Sequence, residues 1–159
     1  MMPAPAISPR TKPADIRRKE IMDAAQGLFI EKSVAATSID EIVAAAGVSK
    51  GGFYHHFASK DALLMALRDR FVADYIAGIA AAQAALPEED WRGRLETWLR
   101  VAVESLAEKQ EVHDVVFREF PPTHRHGLNR NPVIDHLEKL LAEGHAAGVW
   151  DVARPHLTA

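Results

Sequence analysis

From Asp15 onward, apolar residues recur three and four positions apart along the chain. Ile21, Ala24, Ala25, Leu28 and Phe29 fall on one helical face, which predicts a first helix from Asp15 to about Lys32. Ser38-Ile39-Asp40-Glu41 then matches a capping box, in which Ser38 and Glu41 satisfy each other's free backbone donors. Ile39, Ile42, Val43 and Ala46 give the second helix an apolar side. Gly47 can take the left-handed conformation that ends a helix, and Ser49 can cap the next one two residues later. The pattern is a helix, a tight glycine turn and a third helix anchored in the core by Phe53 and Phe57.

Beyond that turn the stripes lengthen. Ser59 is placed to cap a fourth helix, whose Leu64, Leu67, Phe71 and Tyr75 run toward about Ala85. Pro87 with Glu88, Glu89 and Asp90 marks the start of a fifth, with Leu95, Trp98, Leu99, Ala102, Val103 and Leu106 on its inner side. A sixth helix is expected over Val112 to Phe120, where Pro121-Pro122 stops it. Asn131-Pro132 opens a seventh, with Val133, Leu137, Leu140 and Leu141 inward and Gly148 at its C-terminal stop. Nothing alternates with the two-residue period of a strand, so the expected fold class is all-α.

Composition narrows the picture. At 159 residues with 48% hydrophobic content, the chain suits one domain, or a small module joined to a second layer of helices. With no cysteine, thiolate chemistry and disulfides are excluded, which fits a reducing cytosol. The N-terminus has no apolar leader segment, and the longest uncharged stretch, Tyr75 to Pro87, is too short and alanine-rich to span a bilayer. A cytoplasmic protein without a membrane partner is therefore expected. The net charge is −3, but residues 1–60 hold eight Lys/Arg against six Asp/Glu, leaving eleven against sixteen for residues 61–159. A nucleic-acid surface would have to be a local patch near the N-terminal end. Residues 1–14, proline-rich and carrying Arg10 and Lys12, read as a flexible basic arm.

Lys50-Gly51-Gly52 is an odd way to begin a helix, because glycine is a poor helix former and a lysine there meets the positive end of the helix dipole. Two readings fit. The second and third helices have the lengths of a helix-turn-helix, whose second helix lies in a DNA major groove; Gly51 and Gly52 would then let the backbone approach a phosphate and donate its unpaired N–H groups. Alternatively, the paired glycines only let the third helix pack tightly against the first.

The run from Arg17 to Leu67 resembles the N-terminal domain of the TetR/AcrR family of bacterial transcriptional regulators. The matching residues include Ile21 to Ala25, Leu28-Phe29, Thr37 to Ile42, Ala45 to Gly51, Phe53 to Phe57, Ser59 to Asp61 and Leu63-Leu64. The resemblance implies a three-helix DNA-binding domain over residues 15–60 and a helical ligand-binding and dimerisation domain over residues 61–159. It implies a repressor, not an enzyme, that binds a double-stranded DNA operator as a homodimer and is released by a small-molecule effector, with no cofactor. Carried onto this chain, Lys50, Gly51 and Gly52 open the recognition helix and meet bases or backbone, Tyr54, His56 and Lys60 bind phosphate, Ser38 at the start of the second helix offers a hydroxyl or amide to phosphate, and Ser49 belongs with them among the DNA-binding residues. Lys50 and His55 are the candidates for reading bases, and a solvated side chain is the other reading of His55.

Two departures from the family pattern carry expectations. Ser33 stands where the family commonly has glycine, so the turn after the first helix is expected to use another geometry. Members also continue through two further long helices, whereas this chain stops at Ala159 where the first should begin, so it is either truncated or pairs differently. The candidates for an effector pocket are Phe71, Tyr75, Trp98, Ala102, His113, Phe117, Phe120 and Leu137, each of which is equally at home in an ordinary core. His113, His124, His126, His136 and His145 raise a metal-sensing alternative, but they lack the i, i+4 pairing of a strong helical site and no metal ligand is assigned. A helical protein-interaction module without an organic ligand is the remaining alternative.

Overall fold

The computed structural model describes residues 13–118 and 132–151. Phe120, His124, His126 and most of the N-terminal arm lie outside them. Among the described residues every regular element is a helix: α1 (Ala14–Lys32), α2 (Ile39–Ala46), α3 (Lys50–His56), α4 (Lys60–Gln83), α5 (Trp91–Glu108), α6 (Gln110–Arg118) and α7 (Pro132–Ala146). None is long and apolar enough to cross a membrane. The chain divides into two compact units, 1–60 and 61–159.

In the first unit the predicted stripe of α1 is inward, with Ile21, Met22, Ala25 and Phe29 buried. Ile42 of α2 and Phe53 of α3 are fully buried, each burial stabilising the unit by about 1.5–3 kcal/mol. The capping box forms as read: Ser38 Oγ accepts from the Glu41 N–H, and Glu41 Oε2 accepts from the Ser38 N–H at 2.9 Å. Gly47, at φ +63°, ends α2 in a Schellman motif, its N–H donating to Ala44 O while Val48 N–H donates to Val43 O. Ser49 Oγ accepts from Gly52 N–H at 3.0 Å and starts α3.

The turn after α1 corrects an expectation. Ser33 keeps a glycine-like conformation, φ +76° and ψ 158°, which is the positive-φ region that side chains rarely enter. Local bonds hold it there: Ser33 N–H donates to Phe29 O, Ser33 Oγ accepts from Ala36 N–H, and Ser33 O accepts from Thr37 Oγ1 at 2.7 Å.

In the second unit α4 buries Leu64, Leu67, Phe71 and Tyr75 as predicted, and the Tyr75 hydroxyl donates to Ala102 O of α5 at 2.9 Å. Trp98 Nε1 of α5 donates to His136 Nδ1 of α7 at 2.9 Å. Helix α5 starts at Trp91, not Pro87, because Asp90 caps it by accepting from Gly93 N–H, while Pro87 to Asp90 form a turn closed by Asp90 N–H on Pro87 O. Helix α6 begins at Gln110, two residues before the expected Val112. Leu99, Val103 and Leu106, read as inward, are exposed. Leu99 lies about 100° around the helix from Trp98 and Val103 about 100° from Ala102, away from the side that carries the Trp98 bond to α7. Gly148, at φ +72°, ends α7, and the chain turns back to set Trp150 against Gly144, with Trp150 Nε1 donating to Leu141 O at 2.8 Å.

Candidate nucleic-acid interface and ligand cavity

Helix α3 turns Phe53 into the core, while Lys50, Gly51, Tyr54 and His55 are all exposed. The Tyr54 ring stands edge-on to Phe53, with centroids 5.4 Å apart, leaving the residue half exposed. His56 sits at the flank, half-buried, its ring 5.1 Å from that of His55.

The glycine pair separates the two readings of the sequence. A Cβ built on Gly51 would meet nothing closer than Ser49 Oγ at 4.0 Å, and one on Gly52 would meet only Ser49 Oγ at 3.3 Å and Val48 Cβ at 3.9 Å. No atom of α1 approaches either position within 4 Å, so packing against α1 does not explain them.

The remaining candidates have partners within the chain. Ser38 and Ser49 use their hydroxyls in helix caps. Lys60 Nζ donates to Val34 O at 2.6 Å and Thr37 O at 2.8 Å, clasping the turn between α1 and α2, so that one of its three N–H groups is left over. Lys50 Nζ lies 2.9 Å from Asp40 Oδ1, and this carboxylate, by hydrogen bond and then by charge, raises the lysine above its ordinary pKa. Next to it, Glu41 pairs with Lys32 as well as with Ser38, and these bonds hold its carboxyl down at about 2. The in-chain ties of Lys50 and Lys60 had no signature in local spacing, since the partners are 10 and at least 23 residues away.

The second unit contains a cavity of about 310 Å³ lined by Phe71, Tyr75, Leu106, His113, Phe117 and Val133. Phe71 stacks on Tyr75 with centroids 6.1 Å apart and meets Phe117 edge-on at 5.9 Å, and His113 lies 4.8 Å from Phe117. Arg68 stands over the outer Phe117 ring at 6.0 Å. Four of the eight pocket candidates thus come together. Trp98, Ala102 and Leu137 do not line the cavity, because Trp98 and Ala102 are committed to the bonds with His136 and Tyr75. Leu106 and Val133 were read only as inward-facing positions, and the cavity adds them. The Tyr75 hydroxyl, whose pKa burial raises, is spent on Ala102 O. The Nε2 of His113 is left as the polar atom available to a guest among these described residues.

Among the described residues no three His, Asp or Glu side chains converge to hold a metal ion. His136 Nδ1 is occupied by the Trp98 indole, and burial first, then Lys139 and Arg94, push its pKa below the ordinary value. His145 faces the Trp150 carbonyl.

Among the described residues the chain is all-helical, and α2, the Gly47 turn and α3 form a helix-turn-helix, a motif that DNA-binding regulators use. The family model described as "Bacterial regulatory proteins, tetR family" matches residues 21–67. The transcriptional activator FasR of Mycolicibacterium smegmatis is 39% identical over 93 residues, covering 58% of this chain and 40% of FasR. The transcriptional repressor KstR2 of Rhodococcus jostii is 38% identical over 74 residues, covering 46% of this chain and 35% of its own length. This chain therefore spans less than half the length of either. Among solved structures, the fatty acid degradation regulator FadR of Bacillus halodurans shares the fold at a TM-score of 0.70 and 23% identity, covering 89% of this chain and 73% of that one. FadR of Bacillus subtilis, in complex with stearoyl-CoA, shares it at 0.69 and 20%, covering 86% and 75%. Over residues 21–67 the chain is similar to the tetR family of bacterial regulatory proteins, and the curated relatives it matches are named as transcriptional regulators.

Proposed function

We propose that the chain is a cytoplasmic transcriptional repressor that binds an operator in double-stranded DNA through residues 15–60 and lets go when a small molecule occupies the cavity within residues 61–159. The observation that carries this reading is the exposed arc of α3. Gly51 has open space around it, so its missing side chain serves an approaching partner and not the fold. In a helix-turn-helix that partner is the major groove. Lys50 and His55 then face base edges, the Tyr54 hydroxyl donates to a phosphate, and Gly51 and Gly52 bring the backbone close. His56, and the spare N–H of Lys60, reach phosphates at the margin, while Ser38 and Ser49 hold the two helix starts in place.

The cavity supplies the effector side of the reading. Its four-ring lining with a single imidazole suits a compact, largely apolar molecule carrying one hydrogen-bonding group for His113. FadR of Bacillus subtilis, which shares the fold, was solved in complex with stearoyl-CoA, and that supports a small-molecule ligand for this chain. A homodimer accounts for two recognition helices on two half-sites. The test is fluorescence anisotropy on labelled duplex from the region upstream of the protein's own gene, with unlabelled random duplex as competitor. Binding that resists the competitor and weakens steeply with salt is the expected result, and binding no tighter than to random duplex overturns the operator reading.

A further inference from the structure

Resting on the reading of α3 as the helix that meets DNA, we infer that Asp40 is a specificity determinant, a carboxylate that holds the Lys50 ammonium away from phosphates until a base-edge acceptor takes its place. The two residues belong to different helices of the motif, yet Lys50 Nζ lies 2.9 Å from Asp40 Oδ1. Both side chains are open to solvent, at 56% and 72% exposure. The other acid in the first turn of α2, Glu41, is spent on Lys32 and Ser38, so Asp40 is the carboxylate turned toward α3. Around the exposed arc, Tyr54 and His55 add no fixed charge, and Asp40 cancels the one that Lys50 brings.

That arrangement has two opposing effects on DNA. A negative charge beside the reading helix repels phosphate at every sequence, and it removes Lys50 from the non-specific electrostatic attraction that Lys and Arg otherwise supply. An exposed pair is also weak, so it yields readily to a well-placed competitor. Guanine O6 and N7 are such acceptors in the major groove. Lys50 is therefore withheld from indiscriminate contacts and available to a matching base pair, which lowers affinity in general and raises the ratio of specific to random binding.

The experiment uses the full chain as wild type, Asp40→Asn, Lys50→Met and the double variant, each checked for folding by circular dichroism. Anisotropy is measured on a labelled random-sequence duplex and on a duplex enriched by in vitro selection with the wild type, from about 50 to about 200 mM salt. Asp40→Asn is expected to tighten random-duplex binding by roughly 1.5- to 5-fold, the fold-change equivalent of the weak pair. It is expected to steepen the salt slope by about 1 and to narrow the ratio between selected and random duplex. The gain should shrink when Lys50→Met is also present, leaving only the relief of Asp40's own repulsion of phosphate. An unchanged affinity and slope, or a gain of equal size without Lys50, overturns the role of Asp40 and leaves the DNA reading intact. A folded wild type that binds no duplex even at low salt overturns both.

Discussion

Gly51 and Lys60 show how one residue's surroundings decide what it is for. Gly51 has room for a side chain, and alanine is the better helix former by up to about 1 kcal/mol. Gly51→Ala is therefore expected to leave the melting temperature unchanged or slightly raised while weakening duplex binding, because the added methyl stands where the DNA backbone would come. A melting curve and an anisotropy titration on one preparation check the opposed signs, and an equal affinity removes the close-approach argument. Lys60→Met removes a donor from two backbone carbonyls and is expected to cost about 1–3 kcal/mol of stability, read as an earlier denaturation midpoint. If its spare N–H also meets a phosphate, the salt slope of DNA binding falls by roughly 1. The caps at Ser38 and Ser49 and the stop at Gly47 were legible because each depends on neighbours within five residues. The ties of Lys60 and Lys50 were not, since they join segments that only the folded backbone brings together.

At the level of elements, the long periodic helices could be read from spacing, but which of two apolar arcs a helix buries could not. Helix α5 carries Trp98 and Ala102 on one arc and Leu99 and Val103 on the next, and periodicity does not say where the neighbours stand. The same gap explains the cavity, since inward positions were identified while the space left between them depends on packing. The link from α5 to α7 through Trp98 and His136 has a pH signature. His136 Nδ1 accepts the indole proton, so the bond needs the neutral ring, and its folded pKa is below the unfolded value of about 6.5. The stability it contributes is therefore complete above about 6.5 and is lost as pH falls through the folded value. Thermal melts across that range should show a decline that His136→Gln, whose amide oxygen accepts the same bond, flattens. At the far end of α7, a Cβ on Gly144 would lie 2.0 Å from Trp150 Cζ2. Gly144→Ala is expected to expel the indole and shift its fluorescence to the red.

For the whole molecule, the proposed regulation couples a cavity in one unit to a DNA-reading surface in the other, and a coupling of about 1–3 kcal/mol corresponds to a 5- to 150-fold change in operator affinity. An effector that tightens its own binding by the same factor when operator is absent is the reciprocal result that establishes it. How readily the first unit opens is a separate matter, and Ser33 bears on it. A serine held in a glycine-like conformation keeps a residual strain of about 1–3 kcal/mol in the turn that joins α1 to α2. Regions with such strain are where a native protein loosens without unfolding altogether. Amide protons from Phe29 to Thr37 are thus expected to exchange with deuterium sooner than those in the middle of α1. A Ser33→Gly variant would slow that exchange, leaving the recognition helix on a stiffer frame.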